Sequence, residues 1–131
     1  MPNLDAWSPR VLSILRIITG LLFMEHGLMK LIHFPAPQAG APDPLPAILV
    51  AAGCIEAVGG GLVALGLFTR AVAFVCSGEM AVAYFMAHAP KSPWPGINQG
   101  DPAILFCFVF LYLVFAGAGP WSLDAVVRKR P

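Results

Sequence analysis

The chain has 131 residues, of which 58% are hydrophobic and only 11% are charged, and its formal net charge is +1. Soluble domains carry about a quarter of charged residues, so this composition indicates a membrane protein. A nearly neutral chain without a basic face interleaved with aromatic residues also excludes nucleic acid as a partner.

Four apolar segments follow one another along the chain, and each is long enough to cross a bilayer as a helix, which takes about 20 residues. The predicted spans cover residues 11–32, 47–67, 71–88 and 102–118. A helix satisfies its own backbone hydrogen bonds inside lipid. We therefore predict an all-α membrane protein, a four transmembrane helix bundle that forms a single domain over residues 1–131.

The segments between the spans differ in composition. Residues 33–46 contain five prolines, and residues 89–101 are again rich in proline and glycine. Spans two and three are separated only by Phe68-Thr69-Arg70, which predicts a tight hairpin. Before span four, Asp101-Pro102 predicts an N-cap followed by proline at the first helical position.

The basic residues predict the topology. Two of them, Lys30 and Lys91, lie on the side of the proline-rich loops, and five lie on the side of the termini: Arg10, Arg70, Arg128, Lys129 and Arg130. Because basic residues are enriched on the cytoplasmic side, we predict a multi-pass protein of the bacterial cytoplasmic (inner) membrane with both termini cytoplasmic, N-in/C-in.

A short helix is predicted after span four. Ser122-Leu123-Asp124 follows Gly119-Pro120 and resembles a helix cap. The basic tail at residues 128–130 would lie near anionic lipid headgroups, where each basic residue contributes about 1 kcal/mol. These features predict a short C-terminal interfacial helix.

Glu25, Glu56 and Glu79 lie inside three different apolar spans. An ionisable side chain near the bilayer centre costs roughly 2.5–3.5 kcal/mol on insertion scales. Residues of this kind usually have a partner or a function, and these three glutamates are therefore the main functional signal of the sequence.

Helical spacing predicts the direction of the charged side chains in span one. Arg16 and Lys30 share a face with Gly20 and Gly27, while Glu25 points about 180° away from Arg16. We expect Glu25 to reach a different neighbour, and Arg16 to find an anion on another span or to extend toward the cytoplasmic headgroups. The glycines predict close approach of a second helix.

Glu56 and Glu79 both lie near the middle of their spans, whereas His26 and Lys30 lie nearer the loop side. If the bundle closes normally, the side chains line one polar pocket that opens to the outside. The candidate site residues for a quinone or proton site are Glu25, His26, Lys30, Glu56 and Glu79.

Three interpretations of this cluster stay open. In the first, the acids and bases pair across helices and only fix the bundle. In the second, a glutamate exchanges protons and His26 relays them or donates a hydrogen bond to a quinone carbonyl. In the third, His26, His88 and carboxylates hold a metal or haem, although the Glu-x-x-His spacing of di-iron bundles is absent.

The cysteines argue against one class of enzyme. Cys54, Cys76 and Cys107 fall on three different spans without a Cys-x-x-Cys pair. An enzyme that passes electrons from dithiols to quinone needs paired cysteines, so this activity is not expected.

Three segments together resemble the DoxX family: Gly20 to Leu31, Glu56 to Arg70 and Gly117 to Asp124. Their order and spacing cover most of the chain. The residues that carry the resemblance are Arg16, His26, Gly27, Lys30, Glu56, Arg70 and Ser122 to Asp124.

The resemblance implies a four-helix protein of the bacterial cytoplasmic membrane, related to subunits of a thiosulfate:quinone oxidoreductase and to proteins of other membrane oxidoreductase complexes. It favours a small, non-catalytic subunit that offers a quinone or proton site to partner oxidoreductase subunits in the lipid bilayer. The alternative is a scaffold, or a small-molecule or proton carrier, whose buried charges are structural. The glycine-lined faces would also suit a homo-oligomer.

Overall fold

A computed structural model describes residues 3–129, and this part of the chain is helical without a β-strand. The helices are α1 (Leu4–Ile32), α2 (Ala47–Leu65), α3 (Thr69–Ala83), α4 (Pro95–Asn98), α5 (Asp101–Ala116) and α6 (Leu123–Arg128). The end of α3 continues through one π-helical turn (Tyr84–His88) and one 3-10 turn (Ala89–Lys91). The all-α prediction is confirmed.

Three helical segments are long and apolar enough to cross a membrane: Leu4–Ile32, Ala47–Leu65 and the continuous stretch Thr69–Lys91. The fourth apolar helix, α5, has 16 residues, a length of about 24 Å at 1.5 Å per residue. Large apolar side chains are widely exposed on the bundle, for example Val58 at 64% and Phe74 at 66%. Such a surface requires lipid around it, and the protein therefore contacts a bilayer.

Two predicted helix starts are corrected by the structure. Helix α1 begins at Leu4 rather than at Val11, and it continues through Pro9. Its acidic residue in the first turn, Asp5, suits the positive end of the helix dipole. Helix α5 begins at Asp101 itself, with Gly100 at the N-cap position, so the prediction of an Asp101 N-cap was wrong by one residue.

Helices α1 and α2 pack along a seam of glycines, while α3 packs mainly on α5. A Cβ atom placed on Gly20 would lie 2.5 Å from the Ala64 backbone nitrogen. One placed on Gly60 would lie 2.7 Å from the carbonyl oxygen of Gly20. The two backbones therefore touch directly, which is the close approach that the glycine pattern predicted.

Replacing Gly60 by alanine is expected to destabilise the bundle by about 1–3 kcal/mol, because the added methyl group meets backbone atoms that have no rotamer to change. The matched control is Gly78→Ala on α3, where a Cβ meets nothing within 4 Å. The control should be neutral or slightly stabilising. Reversible unfolding in detergent measures both, and equal effects of the two variants would contradict the glycine seam.

The end of the bundle at which α1 begins and α5 ends, here called the terminal end, is closed by a buried arginine. Arg16 is 0% exposed, and its guanidinium donates to backbone carbonyls of α2 and of the chain after α5. These are Val63 at 2.9 Å, Ala64 at 3.4 Å, Trp121 at 2.6 Å and Ala118. The expectation of an anion partner or of headgroup contact was wrong. Helix ends carry carbonyls without intrahelical partners, and these satisfy the cation instead.

Arg70, which was predicted in the hairpin turn, lies in the first turn of α3 and caps a second helix at the same end. Its Nη1 donates to the carbonyl oxygens of Val114 at 2.9 Å and Phe115 at 2.7 Å, in the last turn of α5. The positive charge therefore lies at the negative end of the helix dipole. Arg70 thus stabilises the C-terminal end of α5.

The segment after α5 returns to the α2–α3 hairpin and fixes it. The Ser122 hydroxyl accepts from the Ala125 N–H at 3.1 Å, which confirms the predicted cap of α6. The Asp124 carboxylate accepts from the backbone N–H groups of Phe68 at 2.9 Å and Thr69 at 3.0 Å. Asp124 therefore caps the start of α3 from a distant part of the chain.

Asp124 makes the stability of this end depend on pH. Burial alone would raise the pKa of its carboxyl group, but the hydrogen bonds from Thr69 and Phe68 outweigh burial and lower the pKa below its ordinary value. Since the pKa is lower in the folded protein, the stabilisation is complete above the unfolded value of about 3.9 and is lost as the pH falls through the folded value.

Replacing Asp124 by alanine is expected to cost about 1 kcal/mol of unfolding free energy at pH 7. In the wild type this contribution should decline below about pH 4, and in the variant the corresponding decline should be absent. Unfolding measured at pH 3 and pH 7 tests the prediction, and a wild type and variant that differ equally at both values would contradict it.

Candidate functional site

A cavity of about 390 Å³ lies between the helices at the end of the bundle opposite Arg16. Its walls are apolar at Phe23, Met80 and Phe106. Five of its polar side chains come from α1, α2 and α3 with the π-helical turn that follows: His26, Lys30, Glu56, Glu79 and His88. Three further polar residues from the loops also line it: Gln38, Lys91 and Gln99. Residues 38–42 of the first proline-rich loop also line it, which places the opening on the loop side. Ligand sites usually occupy about 300–1,000 Å³ and combine apolar walls with a few polar groups.

An ion pair joins α1 to α2 at the cavity wall. The Lys30 Nζ lies 2.6 Å from both carboxylate oxygens of Glu56. The side chains are only 13% and 2% exposed, respectively. A nearly buried pair needs good geometry to offset its desolvation, and the bidentate contact provides it. The charges of these two residues therefore neutralise each other.

Glu79 lies beside Glu56 but has no cation of its own. Its carboxyl group is close enough to interact with Glu56 and with Lys30, yet Lys30–Glu56 is the only ion pair within residues 3–129. The Glu79 Oε2 atom is buried without a hydrogen-bond partner among these residues. A buried polar atom without a hydrogen-bond partner is costly, so this oxygen is available to a ligand in the cavity.

The two cavity histidines are held differently. The His26 ring, which is half-buried, lies edge-on to Phe106 with the ring centroids 5.9 Å apart. His88 lies in the π-helical turn after α3, and its Nδ1 is 3.0 Å from the carbonyl oxygen of Asn98. His26 therefore keeps both ring nitrogens free of side-chain hydrogen bonds in residues 3–129, whereas His88 is anchored.

The structure brings together four of the five candidate residues that the sequence predicts. His26, Lys30, Glu56 and Glu79 line the cavity, but Glu25 does not. Glu25 is exposed on α1, one residue and about 100° away from His26. It makes no hydrogen bond within residues 3–129, so the neighbour expected for it is not in this part of the chain.

The residues that support His88 were not predicted from the sequence. Asn98, in the short helix α4, is 1% exposed and has no helical spacing that would have indicated it. The π-helical turn also changes the direction of His88, because it has more residues per turn than the α-helix that the spacing assumed. Gly100 gave the one indirect signal. Its N–H donates to Asn98 Oδ1 at 2.8 Å, and a Cβ atom at this position would lie 2.5 Å from the Tyr84 ring.

Metal binding was a third interpretation of the polar cluster. Within residues 3–129, no group of three or more His, Cys, Asp and Glu side chains is arranged to hold a metal ion. The three cysteines are all free: Cys54 is exposed, Cys107 is half-buried and Cys76 is buried.

Comparison with known proteins identifies the family. The family model described as DoxX matches residues 11–89, which is more than half of the chain. The chain belongs to the DoxX family. The matched range contains most of α1, all of α2 and most of the long third segment. It therefore includes His26, Lys30, Glu56, Glu79 and His88 of the cavity lining.

Two relatives of this DoxX protein match over nearly its whole length. An uncharacterized protein of Haemophilus influenzae is 43% identical over 137 residues, with 99% of this chain and 100% of the relative covered. An uncharacterized membrane protein of Mycobacterium tuberculosis is 28% identical over 145 residues, with 97% of this chain and 87% of the relative covered. No solved structure matches the chain.

Apart from Gly27, which packs against the α2 backbone, the residues that carry the DoxX resemblance form two groups in space. His26, Lys30 and Glu56 line the cavity at the loop end. Arg16, Arg70 and the Ser122–Asp124 segment lie at the opposite end, where they bind helix termini. The DoxX residues therefore divide into a group at the candidate site and a group that closes the bundle.

Proposed function

We propose that this DoxX protein is a non-catalytic subunit or accessory of a quinone-linked oxidoreductase and that its cavity receives the quinone head group. The observation that carries the proposal is Glu79, a carboxyl group that forms no ion pair within residues 3–129 and lies at the wall of the cavity with one buried oxygen unpartnered.

The residues at the cavity fit such a ligand in size and chemistry. A planar apolar ring can pack between Phe23 and Phe106, and a volume of about 390 Å³ accommodates it. His26 and Lys30 supply N–H donors of the kind that quinone carbonyl oxygens accept. A bound quinone would supply two-electron, two-proton chemistry.

Each polar residue has a separate role in this proposal. The Lys30–Glu56 pair holds α1 against α2 and sets the local field. His26 donates a hydrogen bond to a ligand carbonyl. Glu79 holds the exchangeable proton, since it is the carboxyl group that no cation neutralises. Electrons must come from a partner oxidoreductase subunit, because proton exchange and hydrogen bonding are all that these side chains provide.

The proposal includes the membrane arrangement. Helix α5 forms the fourth span, α6 lies at the cytoplasmic interface, and both termini face the cytoplasm of a bacterial cell. The distribution of basic residues supports this orientation: Arg10, Arg70, Arg128 and Lys129 belong to the terminal end, and Arg130 of the same cluster lies outside the described residues. The cavity then opens to the outer side of the inner membrane.

A structural role of the buried charges is the second candidate, favoured by the bidentate Lys30–Glu56 contact that ties two helices together.

A carrier function is less well supported. Phe23, Val63, Phe110 and Leu113 are at most 1% exposed, and they fill the bundle between the cavity and the terminal end. A carrier would need these side chains to separate.

Extraction of the purified protein tests the proposal. Protein isolated in mild detergent from a quinone-containing bacterial membrane should carry quinone, identified by mass spectrometry and by its ultraviolet absorption. His26→Ala should lose most of it, while the control His33→Ala, a histidine outside the cavity lining, should retain it. A wild type without quinone, whose His26→Ala variant only melts earlier, would favour the structural role instead.

A further inference from the structure

His88 is fixed so that one ring nitrogen must carry a hydrogen. Its Nδ1 lies 3.0 Å from the backbone carbonyl oxygen of Asn98, and a carbonyl oxygen can only accept. Nδ1 is therefore the donor. In the neutral imidazole the other nitrogen, Nε2, is then a hydrogen-bond acceptor. Since the ring lines the cavity, Nε2 is the polar atom that it can offer to a ligand.

The anchor that fixes this tautomer is rigid. Asn98 is 1% exposed, and all its polar side-chain atoms are used. Its Nδ2 donates to the Ser92 carbonyl oxygen at 2.9 Å and to the Tyr84 hydroxyl at 3.2 Å, and its Oδ1 accepts from the Gly100 N–H at 2.8 Å. The Asn98 carbonyl therefore cannot turn away from His88 without breaking this network.

The His88 ring is also held on a second side. It stacks on the Tyr84 ring, with the centroids 6.3 Å apart and the planes 22° apart. Tyr84 belongs to the same π-helical turn and to the Asn98 network. Functional sites frequently contain such turns. Here the turn presents an imidazole in one orientation and one tautomer to the cavity.

We infer that His88 Nε2 accepts a hydrogen bond from the ligand, and that the cavity selects the dihydroxy form of the ring over the dione form. The inference rests on the proposed quinone function and specifies its substrate class. A dihydroxy ring brings an O–H donor to Nε2. A dione brings only acceptors, so that two acceptors face each other and both stay unsatisfied.

Three probes that differ only in their oxygen substituents separate the possibilities: tetramethylhydroquinone, tetramethylbenzoquinone and the dimethyl ether of the hydroquinone. The purified full-length protein is placed in lipid nanodiscs, and binding is measured by equilibrium dialysis without oxygen. The wild type should bind the hydroquinone about tenfold more tightly than the dimethyl ether, which keeps the ring but has no donor, and more tightly than the dione.

His88→Asn is the informative variant. The asparagine amide can still donate to the Asn98 carbonyl, but the acceptor at the Nε2 position is gone. The preference for the hydroquinone over its ether should fall to about one, while binding of the ether stays unchanged. The control His33→Asn lies outside the cavity lining and should keep the wild-type preference.

A measurement on the wild type does not depend on the folding of any variant. Nitrogen NMR of the labelled histidine should show Nδ1 protonated and Nε2 unprotonated, and the Nε2 signal should move when hydroquinone is added but not when the ether is added. A protonated Nε2 together with an unprotonated Nδ1 would overturn the inference.

The binding outcomes separate the inference from the function on which it rests. If the dione binds as tightly as the hydroquinone, or if His88→Asn keeps the preference, the inference is wrong and the quinone site stands. If none of the three rings binds to the wild type, the proposed function fails and the inference fails with it.

Discussion

Replacing Arg16 by leucine is expected to lower the free energy of unfolding by about 3–5 kcal/mol, the largest single effect at the terminal end of the bundle. The side chain is fully buried and donates to carbonyls of four residues. Hydrogen bonds to a charged group contribute about 1.5–3 kcal/mol each, and the variant loses all of those that the guanidinium makes. The C-terminal end of α2 and the segment after α5 should separate.

Two further variants show whether the geometry or the charge of Arg16 matters. Arg16→Lys keeps the charge but loses the planar fork, so it should restore only part of the stability. Arg10→Leu changes an exposed arginine of the same helix, whose one hydrogen bond is 3.4 Å long, and should have little effect. Unfolding titrations in detergent measure all three. An Arg16→Leu variant as stable as Arg10→Leu would contradict the stabilising role of the hydrogen bonds that Arg16 donates.

Replacing Lys30 by methionine is expected to cause the second large loss of unfolding free energy, because it leaves Glu56 at 2% exposure without its counter-ion. Removal of one partner of a buried ion pair costs about 3–5 kcal/mol. The variant should therefore unfold much more easily than the wild type in detergent. Lys91→Met is the control, since Lys91 lines the same cavity but is exposed and forms no ion pair within residues 3–129.

The double variant Lys30→Met with Glu56→Gln completes this test. Without the carboxylate there is no uncompensated charge, so the double variant should be more stable than Lys30→Met alone. The same thermodynamic cycle measures the coupling between the two residues. Additive effects of the two substitutions would show that the ion pair does not carry the stability assigned to it.

Much of the bundle could be predicted because lipid constrains the sequence strongly. Apolar runs must be helices in a bilayer, and the predicted limits of α2 differ from the observed ones by at most two residues. Glycine spacing on α1 and α2 predicted that another helix would approach each of them closely. The structure shows that these two helices approach each other. The helical positions of His26, Lys30, Glu56 and Glu79 likewise predicted that these side chains share one polar pocket.

Other parts depend on contacts that leave no pattern in the sequence. Arg16 binds carbonyl oxygens, which every residue has, and its partners therefore could not be identified from residue types. Glu25 lies outside the cavity because the neighbours of α1 cover only part of its surface. The Asn98 anchor of His88 lies in a loop, where no helical period applies.

Photolabelling with an azido-substituted quinone in proteoliposomes tests the central claim most directly. The label should attach to the cavity lining at Met80, His88, Ala103 or Phe106, and an excess of unmodified quinone should prevent the attachment. Labelling confined to exposed side chains such as Phe74 and Phe108, and unaffected by competing quinone, would contradict a quinone site in the cavity.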